Sequence, residues 1–394
     1  MAAIPFNCIS RVGTEGGYIE QAFEALQICG DGVFSRRCHE FLENTLGVAR
    51  ALLTTSCSHA LEMCALLLDI KPGDEVIIPT YTFPSVANAF VLRGAKPIFA
   101  DIRPDTLNLD ESKLRALITP ATRAIVVVHY AGVACEMDEI CALADEYGIE
   151  VVEDNAHGLF GGYRNKPLGT FGCMATQSFH ETKNFSCGEG GALLLNDASY
   201  CDRAEIIREK GTNRKKFFRG EVDKYSWVDI GSSYLLSDIL AAILFAQFEV
   251  REAIQKKRER LWCAYERELA NWATNSEVRL PVVPAHCQQT HHIFYLLMPD
   301  MTVRDALIEH LRVRQILSVF HYVPLHTSKM GRQLGGYAGQ CPVAEDVSNR
   351  LIRLPLYSGL TEEEQERIFA ALHAFEPVCT GRSSEEADRD RSVI

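Results

Sequence analysis

The sequence has little of what marks a membrane or secreted protein. No apolar run in the 394 residues reaches the roughly 20 residues that a transmembrane helix needs. The longest candidate, "YLLSDILAAILFAQFEV", contains Asp238 and is predicted to be a buried helix. The first residues, "MAAIPFN", show no basic stretch followed by an apolar core, so we expect no signal peptide and a cytoplasmic protein without membrane insertion.

An excess of positive charge and an ordered cysteine pattern are also missing. The formal net charge of −12 argues against nucleic acid as a partner, although one local basic cluster is enough to bind a phosphate. The 14 cysteines have no regular spacing and no CxxC pair. They predict reduced, mostly buried thiols, and no metal site is predicted.

What is present is an alternation of strand-like and helical stretches between residues 74 and 158. The strand-like runs are "DEVIIPTYTF", "AKPIFADI", "RAIVVVHYAG" and "IEVVEDNAHG", with the helical stretches "SVANAFVLRG" and "EMDEICALADEYG" between them. This order predicts an α/β fold with a mostly parallel central sheet that is covered on both faces. Ligands of such sheets bind at the carboxyl ends of the strands.

The pattern changes near residue 250, which predicts a large domain over residues 1–250 and a smaller C-terminal α+β domain over residues 251–376. The second part begins with a long charged helix, "REAIQKKRERLWCAYERELANWA". Short strands are predicted in "HHIFYLLMP", "SVFHYVPLH" and "RLIRLPLYSGL". A final helix is predicted in "TEEEQERIFAALHAF", with Thr361 and Glu364 as its capping box. The polar residues 377–394 are predicted to be disordered.

One acidic residue and one lysine stand where two neighbouring strands of the predicted sheet end. Asp154 ends the run "VVED", and Lys183 lies in "SFHETKN", in the turn before the next strand. Burial lowers the pKa of a lysine and makes it a usable nucleophile. Pyridoxal phosphate requires this pair, since a lysine bonds to the cofactor and an aspartate keeps its pyridine nitrogen protonated. An Asp that only caps a loop is the alternative interpretation of Asp154.

The phosphate and the ring of that cofactor need further partners. In "TTSCSHALEMCALLL", Ser56 and Ser58 precede a helix whose first N–H groups suit an anion, although a simple serine N-cap is the alternative. Ser178 adds a hydroxyl near Lys183. Phe83, in "YTFPS", is a candidate for stacking on the ring, with core packing as the alternative.

Six motifs in this order resemble the DegT/DnrJ/EryC1/StrS sugar aminotransferases over about residues 4 to 376: "TTSCSHAL", "PTYTFPSVANA", "VHYAG", "VVEDNAH", "SFHETKN" and "GEGGAL". The resemblance implies the aspartate aminotransferase fold, which is fold type I of the pyridoxal phosphate enzymes. It also implies a homodimer with shared active sites. The segment "VDIGSSYLLSDILAAILFAQFE" favours the same assembly, because a dimer would bury its apolar helix while the turn at Ser232 and Ser233 faces the partner's cofactor.

The resemblance also assigns contacts to the cofactor. Lys183 would bond to it and Asp154 would face its pyridine nitrogen. The other contacts would be His157 at the ring hydroxyl, Phe83 on the ring, and Cys57, Ser58 and Ser178 at the phosphate. The chain departs from the family twice: Cys57-Ser58 replaces a frequent Gly-Thr, and Ser233 replaces a frequent Asn that reaches the partner's phosphate. A serine is shorter than an asparagine, which weakens the second contact.

Longer blocks, such as "ICGDGVFSRRC" and "FHYVPLH", resemble members that move an amino group from L-glutamate to C4 of TDP-4-keto-6-deoxy-D-glucose and give TDP-4-amino-4,6-dideoxy-D-galactose. The basic segment "REKGTNRKKFFRG" is predicted to be a loop, and its Arg214 and Arg219 are candidates for the diphosphate, with a solvated charged face as the alternative. His321, Tyr322 and His326 are candidates for the sugar and donor pocket, with structural roles as the alternative.

Three other functions stay open. The first is a related nucleotide-sugar aminotransferase with another product, which is a 4-epimer or a 3-amino sugar. The second is a sugar dehydratase, and the third is a non-catalytic sensor that keeps the cofactor. In the dehydratases of this family a histidine replaces the lysine, so Lys183 favours transamination.

Overall fold

The computed structural model describes residues 2–376, and the predicted disordered tail, 377–394, lies outside the described residues. The helices are α1 Glu15–Glu24, α2 Val33–Leu46, α3 Cys57–Leu67, α4 Ser85–Val91, α5 Met137–Tyr147, α6 Cys201–Arg208, α7 Arg214–Phe218, α8 Asp238–Glu249, α9 Arg251–Asn275, α10 Met301–Val313, α11 Lys329–Gln333, α12 Pro342–Arg350 and α13 Glu362–His373. The strands are β1 Arg50–Thr54, β2 Glu75–Pro79, β3 Lys96–Ala100, β4 Thr122–Val128, β5 Glu150–Asp154, β6 Gly162–Tyr163, β7 Lys166–Pro167, β8 Met174–Ser178, β9 Gly191–Leu195, β10 Cys287–Gln288, β11 Tyr295–Leu297 and β12 Leu351–Arg353.

The main sheet of the described chain has seven strands in the order β1-β9-β8-β5-β4-β2-β3. The neighbours from β8 to β3 pair in parallel, and β9 alone runs opposite to the strands on either side. This confirms the predicted mostly parallel α/β sheet. Its strands read as continuous apolar runs because both faces are covered: in β4, Val126 packs into one core while Ile125 and Val127 pack into another.

A separate core packs on one face of the two-stranded sheet of β11 and β12, through Leu296 and Ile352, and draws its residues from the chain after residue 260, with Ile4 as an exception. The domain boundary predicted at residue 250 falls between α8 and α9. The capping box of α13 is confirmed, since the Thr361 hydroxyl accepts from the Glu364 N–H and the Glu364 carboxylate accepts from the Thr361 N–H. No helix among the described residues is long and apolar enough to span a membrane.

Two predictions of local structure are wrong. "SVFHYVPLH" contains no strand and makes only one β-bridge, from Val319 to Arg353. Its backbone instead bonds to the residue after β2, where the Leu325 N–H donates to the Thr80 carbonyl. The basic segment read as a loop contains α7, because Arg214 to Phe218 includes neither glycine nor proline.

The apolar helix α8 is buried within its own chain, where it packs against α1 and α2. Its composition therefore needs no partner subunit to explain it. The thirteen cysteines of the described chain are unpaired, but only five of them are buried, so the prediction of mostly buried thiols is wrong.

Candidate active site

Asp154 and Lys183 meet at one edge of the main sheet. Asp154 is the last residue of β5, and Lys183 follows β8, the strand that pairs with β5 in parallel. Because parallel neighbours end at the same edge, the two side chains line one cavity of about 1170 Å³. Asp154 is buried, and its Oδ1 accepts the Ala156 N–H at 3.0 Å. The structure thus brings together the two residues on which the sequence prediction depends.

The surroundings of Lys183 in the cavity increase the uncharged fraction of its amine. Burial lowers the pKa of Lys183 to about 8, against the opposing charge of Asp154. Burial likewise raises the pKa of Asp154, against the Ala156 N–H and the charge of Lys183. A lysine with this pKa is partly deprotonated near neutral pH, which is the form that attacks an aldehyde carbon.

Hydroxyl groups and a helix N-terminus form a polar end of the cavity. Ser56 is the N-cap of α3 and accepts the His59 N–H at 3.1 Å, so the simple N-cap reading applies to Ser56. Ser58 has no capping role and pairs with Ser85 at 2.6 Å between the hydroxyl oxygens. Cys57, Ser58, Ser85 and Ser178 all line the cavity. This donor set suits a phosphate.

Gly191, the first residue of β9, allows this strand to pack closely against the N-terminus of α3. A Cβ at Gly191 would lie 2.4 Å from the backbone nitrogen of Cys57 and 2.6 Å from the carbonyl oxygen of Ser56. Any side chain would therefore push β9 away from the first turn of α3.

Aromatic and imidazole rings form the remaining wall. His157 and His292 pack at 4.4 Å between ring centroids, and His321 stacks on Tyr322 at 3.6 Å. Burial lowers the pKa of all three histidines, so each ring is neutral at physiological pH. Phe83 lines the cavity with 59% of its surface exposed, which rules out the core-packing interpretation and leaves the ring free for a ligand.

Four predicted site residues lie away from this cavity. The His326 ring is fully buried, and its two nitrogens bind the Thr80 hydroxyl and the Glu345 carboxylate. Arg219 pairs with Glu205 and Glu221, and Arg214 with Glu209. Ser233 is exposed, and its backbone forms an isolated antiparallel β-bridge with Glu209. The structure supports the structural alternative for His326 and the charged-face alternative for Arg214 and Arg219.

Sequence reasoning missed Arg353, the last residue of β12, which lines the cavity. Its guanidinium lies 4.7 Å from the Phe6 ring centroid, its Nε has no hydrogen-bond partner, and it makes no salt bridge within the described residues. Burial lowers its pKa. The available signal was an arginine inside the apolar run "RLIRLPLY". His292 and Lys329 are further cavity residues that the sequence reasoning did not select.

This donor set fits pyridoxal phosphate. An amine of lowered pKa, a buried carboxylate, a stacking ring and a hydroxyl-lined helix end match the aldehyde, the pyridine nitrogen, the ring and the phosphate. Together with the sheet topology, this defines the class: the chain is a pyridoxal-phosphate-dependent enzyme of fold type I.

Comparison with known proteins identifies the family. The model of the DegT/DnrJ/EryC1/StrS aminotransferase family matches residues 14–373, and the chain belongs to this family. GDP-perosamine synthase of Caulobacter vibrioides is 32% identical over 368 residues, which cover 91% of this chain and 95% of that protein. The protein MJ1066 of Methanocaldococcus jannaschii is 34% identical over 332 residues, 82% and 85% of the two chains.

The solved structure of the aminotransferase TlmJ from Streptoalloteichus hindustanus superposes with a TM-score of 0.86 at 27% identity. It covers 94% of this chain and 98% of that one. The chain is therefore a pyridoxal-phosphate-dependent sugar aminotransferase.

Proposed function

We propose that the enzyme transfers the amino group of L-glutamate to C4 of TDP-4-keto-6-deoxy-D-glucose and forms TDP-4-amino-4,6-dideoxy-D-galactose. The observation that carries the transamination is Lys183 beside Asp154 in one cavity. The choice of sugar rests on the sequence blocks, which resemble the transaminase that makes TDP-fucosamine for enterobacterial common antigen, a cytoplasmic step.

Asp154 and Lys183 have separate roles in the proposed reaction. Bound pyridoxal phosphate supplies an electron sink that stabilises negative charge on the carbon that loses its proton. Asp154 holds a proton on the pyridine nitrogen, because a buried carboxylate stabilises the charged pyridinium. Lys183, uncharged in part at neutral pH, would move the α-proton of the donor to the cofactor carbon that carries the amine, and in the second half it would move a proton from that carbon to C4 of the sugar.

Arg353 supplies a charge for the donor. Its guanidinium is a partly buried cation without a salt bridge in the described chain, its Nε is buried without a partner, and it lies on the same cavity as Lys183. A buried cation is costly unless an anion pairs with it. We assign Arg353 to a carboxylate of glutamate, which it can bind through two parallel hydrogen bonds.

The size of the cavity supports a large acceptor. About 1170 Å³ is above the range of ordinary small-molecule sites, roughly 300 to 1000 Å³, so the cavity has room for a nucleotide sugar beside the cofactor. Lys329, at the cavity rim, is an exposed cation that suits the diphosphate better than Arg214 or Arg219, which lie elsewhere on this chain.

A GDP-linked 4-keto sugar is the second candidate acceptor, favoured by the 32% identity to GDP-perosamine synthase over 91% of the chain. The purified enzyme, loaded with cofactor, should be assayed with glutamate and either TDP-4-keto-6-deoxyglucose or GDP-4-keto-6-deoxymannose. We expect turnover with the TDP sugar, and a small proton coupling between H3 and H4 of the product, which marks the axial amine. A large coupling would mean the 4-epimer, and turnover with the GDP sugar alone would refute the proposed acceptor.

We also infer a homodimer with shared sites. Ser233 is exposed and remote from the cavity of its own chain, as a residue that serves a partner's site must be. The neighbouring segment exposes large apolar side chains, with Trp227 76% and Ile230 43% exposed. Exposed apolar surface of this kind is typical of an interface.

A further inference from the structure

The residue after Lys183 is tied to a segment that lies more than one hundred positions later. The side-chain amide of Asn184 donates to the Thr290 carbonyl at 2.9 Å and to Gln255 at 3.3 Å. Its Oδ1 lies 2.8 Å from Nδ1 of His292. Asn184, Thr290 and His292 are all buried, so the contact is closed to solvent on most sides.

These contacts fix the tautomer of His292. A carbonyl only accepts, so the amide nitrogen of Asn184 faces Thr290 and its oxygen faces His292. An amide oxygen also only accepts, so Nδ1 of His292 carries the proton. In a neutral ring, Nε2 is then a bare lone pair, and His292 lines the cavity. His157 has the opposite arrangement, because its Nδ1 accepts the Ala131 N–H at 3.3 Å.

The same segment is fixed to the aspartate side of the site. The Thr290 hydroxyl donates to the His157 carbonyl at 2.6 Å, and Thr290 itself is fully buried. A Cβ at Gly132 would lie 1.8 Å from that hydroxyl oxygen, so only glycine leaves room for it. Thr290 thus connects the turn after Asp154 to the turn of Lys183 through Asn184.

We propose that Asn184 and His292 act as a positioning pair, in which the amide holds the turn of Lys183 and keeps His292 as an uncharged hydrogen-bond acceptor for the amine that enters the cavity. The titratable and charged groups facing His292 are His157, Lys183, Arg258 and Arg353. Each of them disfavours a proton on the ring, as burial does, which agrees with a neutral imidazole. The pair deepens the proposed function, since it rests on Lys183 as the reacting amine, but it does not depend on which sugar is the acceptor.

The first test measures the tautomer of His292 in the cofactor-free wild-type protein. Long-range proton–nitrogen NMR correlations of the histidine rings should be recorded between pH 6 and 8, with His292→Gln to identify the signal. We expect a neutral ring protonated at Nδ1 over the whole range. A ring protonated at Nε2, or one that titrates near the ordinary histidine pKa, overturns the proposal.

The second test follows the capture of added pyridoxal phosphate by Lys183 through its visible absorbance. Asn184→Ala should slow capture by about tenfold, the change expected for loss of one buried hydrogen bond of ordinary strength. Gln255→Ala is the matched control, since Gln255 contacts Asn184 and not His292, and it should stay near the wild-type rate. Equal effects of the two variants would overturn the positioning role.

The role of His292 as a hydrogen-bond acceptor is tested by the rate at which the amine of glutamate replaces the amine of Lys183 on the bound cofactor. His292→Gln keeps an acceptor oxygen in reach of the cavity and His292→Leu does not, so the glutamine variant should be at least several times faster. Equal rates would overturn this role. Failure of the proposed function has a separate signature: reductive trapping of the cofactor would then label a lysine other than Lys183, whatever the tautomer of His292.

Discussion

The pKa of Lys183 offers a quantitative test of the active-site electrostatics. A lysine with the ordinary pKa of 10.5 is uncharged in about one molecule in three thousand at pH 7, whereas a pKa of about 8 leaves about one in ten uncharged. The reactive fraction at pH 7 therefore rises by roughly 300-fold on burial. The rate of cofactor capture by the cofactor-free protein should increase with pH to a plateau, with a midpoint near 8.

Removing the charge of Asp154 should move this midpoint in a known direction. The carboxylate favours the protonated lysine and opposes burial, so Asp154→Asn should lower the midpoint by roughly one unit. Glu189→Gln is the matched control: it removes a carboxylate on the same cavity that pairs with His180 and does not act on Lys183. A wild-type midpoint near 10, or an upward shift in Asp154→Asn, would refute the argument.

Three further outcomes follow from the same cavity. In the cofactor-free protein, Lys183→Met should raise the melting temperature below pH 8, because desolvation of the ammonium costs at most about 3 kcal/mol. The gain should fade as pH rises from about 8 to 10.5, because in this range the folded wild type binds fewer protons than the unfolded chain and becomes more stable; an unchanged difference across that range would contradict it. Arg353→Gln should raise KM for glutamate by at least tenfold and leave KM for the sugar nearly unchanged, whereas Lys329→Gln should do the reverse; a shared effect of both would contradict the assignment. If sites are shared, mixing inactive Lys183→Ala protein with a variant disrupted at Ser232 to Tyr234 should restore activity, and a fully active monomer by light scattering would exclude it.

The sequence predicted the parts of the site that depend on local pattern. Asp154 ends β5 and Lys183 lies in the turn after β8, and parallel pairing alone carries these two strand ends to one edge. Arg353 could not be found this way. It reaches the cavity because Leu351 of β12 packs into the same core as Val126 of the main sheet, and that contact joins residues far apart along the chain.

The wrong expectations have equally physical causes. Counting positive charges in the basic segment pointed to Arg214 and Arg219, but each charge is already paired with a nearby carboxylate, at Glu209 and at Glu205. His326 stood out as a histidine among strand-like residues. Its buried hydroxyl partner, Thr80, lies 246 positions away, and no local pattern reveals such a contact.

The direction of β9 has a consequence for how this site tolerates change. The ends of β1, β2, β3, β4 and β5 each lead to a crossover back into the main sheet, whereas the turn of Lys183 returns at once beside the strand it left. Its point of return, Gly191, is wedged against the first turn of α3. The turn of Lys183 and the first turn of α3, the proposed phosphate site, therefore share one fixed point. A slip of β9 by one residue along β8 would turn its side chains to the opposite faces and displace both parts of the site together.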